Sequence, residues 1–163
     1  IKPSMIPRLG IMMEVPGLFF QLKDYQNLID FISVGTNDLI QYVLSVDRNS
    51  NTVRHLYSGL HPSVLRMLSE ILSIARSMKK EVSVCGEMAG SVSGALVLIA
   101  LGYRHLSVLP SKIPLIHYLC KHLKSPKLKE IRAFLLEEKN ETEIKRYLSD
   151  VIHSLDPKLS EIE

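Results

Sequence analysis

An α/β fold of parallel strands is what this sequence predicts, and three observations predict it. Short apolar runs alternate with longer segments of helical periodicity. Three of the four runs end in polar groups that chemistry could use. The segments between runs are long enough for helical crossovers, which parallel strands require.

The first strand is read over Leu9–Val15, apolar apart from Gly10 and Glu14. Pro16-Gly17 breaks it, and a helix is read over Leu18–Leu28 with Phe19, Leu22 and Leu28 as its apolar positions. The second strand is Phe31–Val34, a run of the kind that forms a buried parallel strand. Gly35, Thr36, Asn37 and Asp38 follow at a strand-to-helix corner, with the next helix over Leu39–Ser45. Thr36, Asn37 or Asp38 is then the expected N-cap. A long connection over Val46–His61 carries Asp47, Arg48, Asn49 and Asn51. His61-Pro62-Ser63 opens a helix with Val64, Leu65, Leu68, Ile71, Leu72 and Ala75 on one face.

The third strand is Glu81–Cys85, ended by Gly86-Glu87-Met88-Ala89-Gly90. A helix over Ser93–Leu101 is closed by Gly102. The fourth strand is Leu106–Leu109, and Pro110-Ser111 turns it into a helix over Ile113–Leu123. Beyond Ser125-Pro126 come two charged amphipathic helices, Lys127–Lys139 and Glu141–Leu155, and a fraying end over Pro157–Glu163. The helices carry apolar stripes, Leu128, Ile131 and Leu135 on the first and Ile144, Leu148, Val151 and Ile152 on the second. They read as an extension that packs on something or mediates self-association. The division expected is residues 1–125 for the βα units and 126–163 for the helical extension. The alternation leaves two architectures open: an open doubly wound sheet, or a segment of a closed (βα)₈ barrel.

Composition narrows the function classes. With 163 residues, 46% hydrophobic and 23% charged, the chain can bury an ordinary globular core. A formal charge of +3 without basic tracts and interleaved aromatics argues against nucleic-acid binding. Cys85 and Cys120 make no disulfide framework, so a reducing, cytoplasmic setting is expected. No run approaches the roughly 20 residues of a membrane span. Ile1–Pro7 has no signal-peptide pattern. The chain starts without methionine and runs into a strand within a few residues, so it reads as a fragment of a longer protein.

Parallel strands place all their C-terminal ends on one rim, where barrel chemistry is carried out. Glu14 ends the first strand, Asn37 and Asp38 follow the second, and Cys85 with Glu87 ends the third. Glu14 and Asp38 lie about one βα unit apart, and two converging carboxylates need a proton or a cation between them. Oxygen-only ligation suits Mg²⁺ or Mn²⁺. The alternative is that Glu14 complements a helix dipole and Asp38 is a cap. Cys85 reads either as an inert small hydrophobe or as a thiol able to give a proton. Arg48 reads as an anion clamp or as an ordinary loop arginine. His61 reads as a helix-start residue; His55, His105, His117, His122 and His153 show no metal-ligand spacing. No Gly-rich phosphate loop of the Walker or dinucleotide type is present.

Six runs share one further property. They are Gly10–Pro16, Phe31–Tyr42, Val46-Asp47-Arg48, Leu60-His61-Pro62, Val84–Gly90 and Leu106–Ser111. In order and spacing they resemble the phosphoenolpyruvate-binding domain of Enzyme I, the phosphoenolpyruvate–protein phosphotransferase family of the sugar and nitrogen phosphotransferase systems. Pyruvate phosphate dikinase and phosphoenolpyruvate synthase share the superfamily. The resemblance covers residues 9 to 123 and implies the C-terminal half of a (βα)₈ barrel. It implies that Glu14 and Asp38 bind Mg²⁺ (or Mn²⁺), and that Asn37 and Arg48 hold phosphoenolpyruvate with backbone amides near Thr36 assisting. It implies that Cys85 protonates the enolate carbon to release pyruvate. The implied acceptor is a histidine on a separate domain, then a histidine-containing phosphocarrier protein. A half-barrel's two exposed strand edges and uncovered core predict self-association, as a homodimer, through the first or fourth strand edge or through the C-terminal helices. Phosphate-clamping arginines of earlier strands are absent, so the isolated chain is expected to be inactive. The other readings are a dikinase or synthase fragment, and a non-catalytic half-barrel dimerisation module.

Overall fold

The computed structural model describes residues 7–160. Readings made for Ile1–Ile6 and for positions 161–163 lie outside them. Four strands pair in the order β1 (Gly10–Met13), β2 (Phe31–Gly35), β3 (Glu81–Cys85), β4 (His105–Ser107), every pair parallel.

The two faces of this sheet differ. Ile32, Val34, Val82 and Val84 point one way and are buried, as is Met13. Phe31, Ser33, Ser83 and Cys85 alternate with them and are only half-buried, while Met12 is 46% exposed. A doubly wound sheet is covered on both faces and reverses its strand order at a switch point. Sequential order with one covered face is instead the pattern of half a barrel, the second of the two architectures left open above.

The helices are α1 (Pro16–Phe19), α2 (Thr36–Leu44), α3 (Pro62–Ser77), α4 (Glu87–Gly90), α5 (Val92–Leu101), α6 (Ile113–His122), α7 (Ser125–Glu137), α8 (Glu141–Leu155) and α9 (Pro157–Ser160). Helix α3 presents the expected face, with Val64, Leu65, Leu68 and Ile71 fully buried. His61 caps it through Nδ1, which accepts from the Ser63 amide at 3.2 Å. Tyr103, 1% exposed, donates its hydroxyl to the Leu68 carbonyl at 2.8 Å.

Helix α5 is apolar all round, and such a helix has to be covered on every side. Helices α4, α6, α7 and α8 all pack on it. This settles what the C-terminal stripes are for. Ile131, Leu135, Ile144, Leu148 and Ile152 are at most 1% exposed and belong to the same hydrophobic cluster as the strands. The described part of the expected fraying end, residues 157–160, is instead the helix α9, which buries Leu159 completely.

Other boundaries shift for physical reasons. The expected helix over Leu18–Leu28 is only the single turn α1 and a 3₁₀ turn, Leu22–Tyr25. Phe20 is 81% and Leu28 65% exposed, so the apolar residues share no buried face and a short helix has nothing to stabilise it. Strand β4 sits earlier than Leu106–Leu109, because only His105–Ser107 find partners on β3. Strand β1 is trimmed to Gly10–Met13 by its pairing with β2.

Candidate active site

The rim is built at the corner where β2 turns into α2 without a connecting loop. Helix α2 begins at Thr36, so the expected cap of Thr36, Asn37 or Asp38 is replaced by Gly35, with no side-chain capping bond. The reason is that the Thr36 and Asn37 side chains bond across to the end of β3 and the start of α4. Thr36, fully buried, donates its hydroxyl to the Cys85 carbonyl at 2.9 Å. Asn37 Oδ1 accepts from the Glu87 amide at 2.9 Å, which turns the Asn37 Nδ2 donor away from that bond. The Tyr57 hydroxyl donates to the Asn37 carbonyl at 2.9 Å. Burial pushes the Tyr57 phenol above its ordinary value, partly offset by the positive charge of Arg48.

Two glycines make this corner possible. Gly86 has φ +116, and a Cβ there would overlap Thr36 Oγ1 and lie 2.8 Å from Asn37 Oδ1. At Gly35 a Cβ would lie 2.7 Å from Glu14 Oε2 and 3.1 Å from Glu14 Cβ, so a larger residue there would displace the Glu14 side chain. Glu14 therefore lies beside Gly35, one step beyond the Met13–Val34 pair of the β1–β2 ladder. Gly35 pairs with Cys85, and Cys85 with Ser107. Glu14, Gly35, Cys85 and Ser107 thus form one row across the end of the sheet, on its uncovered face.

The expected site residues are placed as follows. Glu14 and Asp38 are both half-buried, Asp38 in the first turn of α2, where the helix dipole favours a carboxylate. Arg48 Nη2 lies 3.7 Å from Asp38 Oδ1, a loose and solvent-screened pair. The Arg48 backbone is tied down, its amide donating to Gln41 Oε1 at 3.3 Å. Cys85 is half-buried, with Sγ 3.5 Å from the Val34 carbonyl and 3.9 Å from Ser33 Oγ. The Thr36 hydroxyl is spent on Cys85, which leaves its backbone amide for the role implied above.

Sequence reasoning missed Arg54, Tyr57, Ser107 and Lys112, which join the expected residues on the same rim. Asn37, Gly86, Glu87, Ser107 and Lys112 line a cleft of about 520 Å³. Beside it Arg48, Asn49, Arg54, Tyr57 and Glu87 line another of about 670 Å³. No local pattern flags Arg54, Tyr57 or Lys112; only the folded chain gathers them.

The donor set also bears on a metal. Among the described residues no group of three or more His, Cys, Asp or Glu could hold one. Two carboxylates on adjacent corners fit a hard cation that keeps waters and takes its remaining oxygens from substrate, and fit a structural zinc poorly. Among the described residues no helix is long and apolar enough to cross a membrane.

Fold and rim together define the class: a parallel βα domain whose strand ends gather acidic, amide, thiol and guanidinium groups. Over residues 2–125 the sequence matches the family of the PEP-utilising enzyme, PEP-binding domain, and the chain belongs to that family. It is 43% identical over 143 residues to a phosphoenolpyruvate-dependent phosphotransferase system protein of Salmonella typhimurium, covering 88% of this chain and 19% of that one. It is 38% identical over 144 residues to a phosphoenolpyruvate-protein phosphotransferase of Borreliella burgdorferi, covering 88% and 25%. A multiphosphoryl transfer protein of Escherichia coli is 36% identical over 141 residues, covering 86% and 17%. The chain thus spans a quarter or less of the length of these relatives.

Proposed function

We propose that this chain is the C-terminal half of the phosphoenolpyruvate-binding barrel of a phosphotransferase. The whole protein passes the phosphoryl group of phosphoenolpyruvate to a protein histidine, then to a histidine-containing phosphocarrier, and releases pyruvate. The observation that carries this is the row Glu14–Gly35–Cys85 beside the Asn37–Asp38–Arg48 corner. The names of the relatives support a phosphotransferase over a dikinase or synthase.

Asn37 offers its Nδ2 donor and Arg48 its guanidinium to the substrate's anionic oxygens, and the amides at the start of α2 add their dipole. As the P–O bond to the enol oxygen breaks, its electron pair stays on that oxygen and the phosphorus bonds the acceptor nitrogen. The enolate then takes a proton at its terminal carbon from the Cys85 thiol, and the thiolate is reprotonated from water. Fixed on a strand end, Cys85 delivers that proton to one face of the planar enolate. Glu14 and Asp38 would hold Mg²⁺ or Mn²⁺, which when bound offsets phosphoryl charge. The cytoplasm is the proposed compartment, consistent with free cysteines at Cys85 and Cys120.

Metal binding is tested by titrating Mn²⁺ into the protein and into Asp38→Asn. Affinity should fall at least about tenfold, since a neutral amide replaces one of only two anionic ligands. Equal affinity would remove Asp38 from the ligand set. For the isolated chain, self-association is proposed through the β1 or β4 edge, whose backbone is unpaired on one side and would be paired only in a complete barrel. Sedimentation should show concentration-dependent mass; a monomer at all concentrations overturns it.

A further inference from the structure

The cleft of about 670 Å³ next to the Asn37 corner holds two guanidiniums, Arg48 and Arg54, against one carboxylate, Glu87. Only Arg48 has a carboxylate partner, and that pair is loose at 3.7 Å. Among the described residues the Arg54 side chain makes no ion pair or hydrogen bond. Surface arginines with that freedom are common, but Arg54 stands on a braced turn. Its amide donates to the Ser50 carbonyl at 2.9 Å, and its carbonyl accepts from the Tyr57 amide at 3.0 Å. Tyr57 then ties the turn to the site, its hydroxyl on the Asn37 carbonyl at 2.9 Å. The backbone under Arg54 is therefore held against the residue that faces the substrate.

Two cations turned into one cleft repel each other until an anion lies between them. A substrate bearing both a phosphate and a carboxylate supplies one, and a guanidinium fork matches either group. We infer that Arg54 is a second substrate-anion clamp, acting beside Arg48 from the outer wall of the cleft. The inference rests on the proposed phosphoenolpyruvate site and adds a residue to it. It also explains why the turn over Arg54–Leu56 is fastened to the β2–α2 corner rather than left as a loose loop.

The test is steady-state turnover of phosphoenolpyruvate by the full-length protein carrying this chain, with Arg54→Gln, Arg54→Lys and Arg48→Gln. Arg54 is exposed, so its replacement leaves the core intact. For Arg54→Gln we expect KM for phosphoenolpyruvate to rise about tenfold, the loss falling on KM more than on kcat. Arg54→Lys should recover part of it, because charge returns without the fork. A KM for Arg54→Gln within about twofold of wild type, with Arg48→Gln impaired, overturns the clamp and leaves the proposed function standing. If Arg48→Gln also turns over phosphoenolpyruvate normally, the proposed site itself is wrong and the clamp falls with it.

Discussion

Gly86→Ala should destabilise the folded chain by about 3 kcal/mol. Two independent penalties add. The backbone at φ +116 lies where a side chain is disfavoured by roughly 1–2 kcal/mol. The new methyl would also occupy the place of Thr36 Oγ1. Thr36 cannot yield cheaply, because it is fully buried and its hydroxyl is committed to the Cys85 carbonyl. Moving it strands both groups and pushes on Asn37, whose Oδ1 would lie 2.8 Å from the methyl. Gly17→Ala is the control, since nothing lies within 4 Å of a Cβ there. It should leave stability unchanged or raise it by up to about 1 kcal/mol in the α1 turn. Chemical denaturation of both variants checks the pair. Gly86→Ala within about 1 kcal/mol of wild type would show that the corner is not the rigid joint described here.

That joint marks the limit of what the chain discloses in one dimension. Strands β2 and β3 were legible because a short run rich in Ile and Val stops at Gly or a polar group, and those signals are local. Helix α3 was legible for the same reason, its apolar positions repeating at helical spacing. The cap of α2 was not. Thr36 and Asn37 are good capping residues, yet their side chains bond to Cys85 at the end of β3 and to Glu87 at the start of α4, about fifty residues further on. No local rule anticipates a partner at that distance.

The rim shows the same division. Glu14, Asp38 and Cys85 could be picked out because they sit at strand ends, and parallel strands bring their ends together. Arg54 and Lys112 sit in turns with no periodicity, and only the fold brings them to the clefts. The C-terminal helices lie between these cases. The stripes on α7 and α8 announced a need for cover, while the matching surface on α5 was already written in its all-round apolarity. Two complementary signals were present, and pairing them needed the topology.

Cys85→Ala should lower phosphoenolpyruvate turnover by the full-length protein about 10²- to 10⁴-fold, the range a positioned proton donor supplies. The structural price is small, which makes the result interpretable. Cys85 is half-buried and its Sγ makes only long contacts, 3.5 Å to the Val34 carbonyl and 3.9 Å to Ser33 Oγ. Trimming it to alanine costs on the order of 1 kcal/mol, so folded protein is recovered. The Thr36 bond survives, because it is made to the Cys85 carbonyl rather than to the thiol. Mn²⁺ affinity should therefore match wild type, separating this variant from Asp38→Asn. The reverse step isolates the proton transfer. Pyruvate exchanges its methyl protons with deuterated water only if a base at the enolate carbon removes them, and that exchange should vanish with the thiol. Cys85→Ser restores the shape but not the acidity, since a hydroxyl is a far weaker acid than a thiol, so it should stay close to the alanine variant. Turnover or exchange by Cys85→Ala at the wild-type rate would return Cys85 to the small buried hydrophobe of the alternative reading.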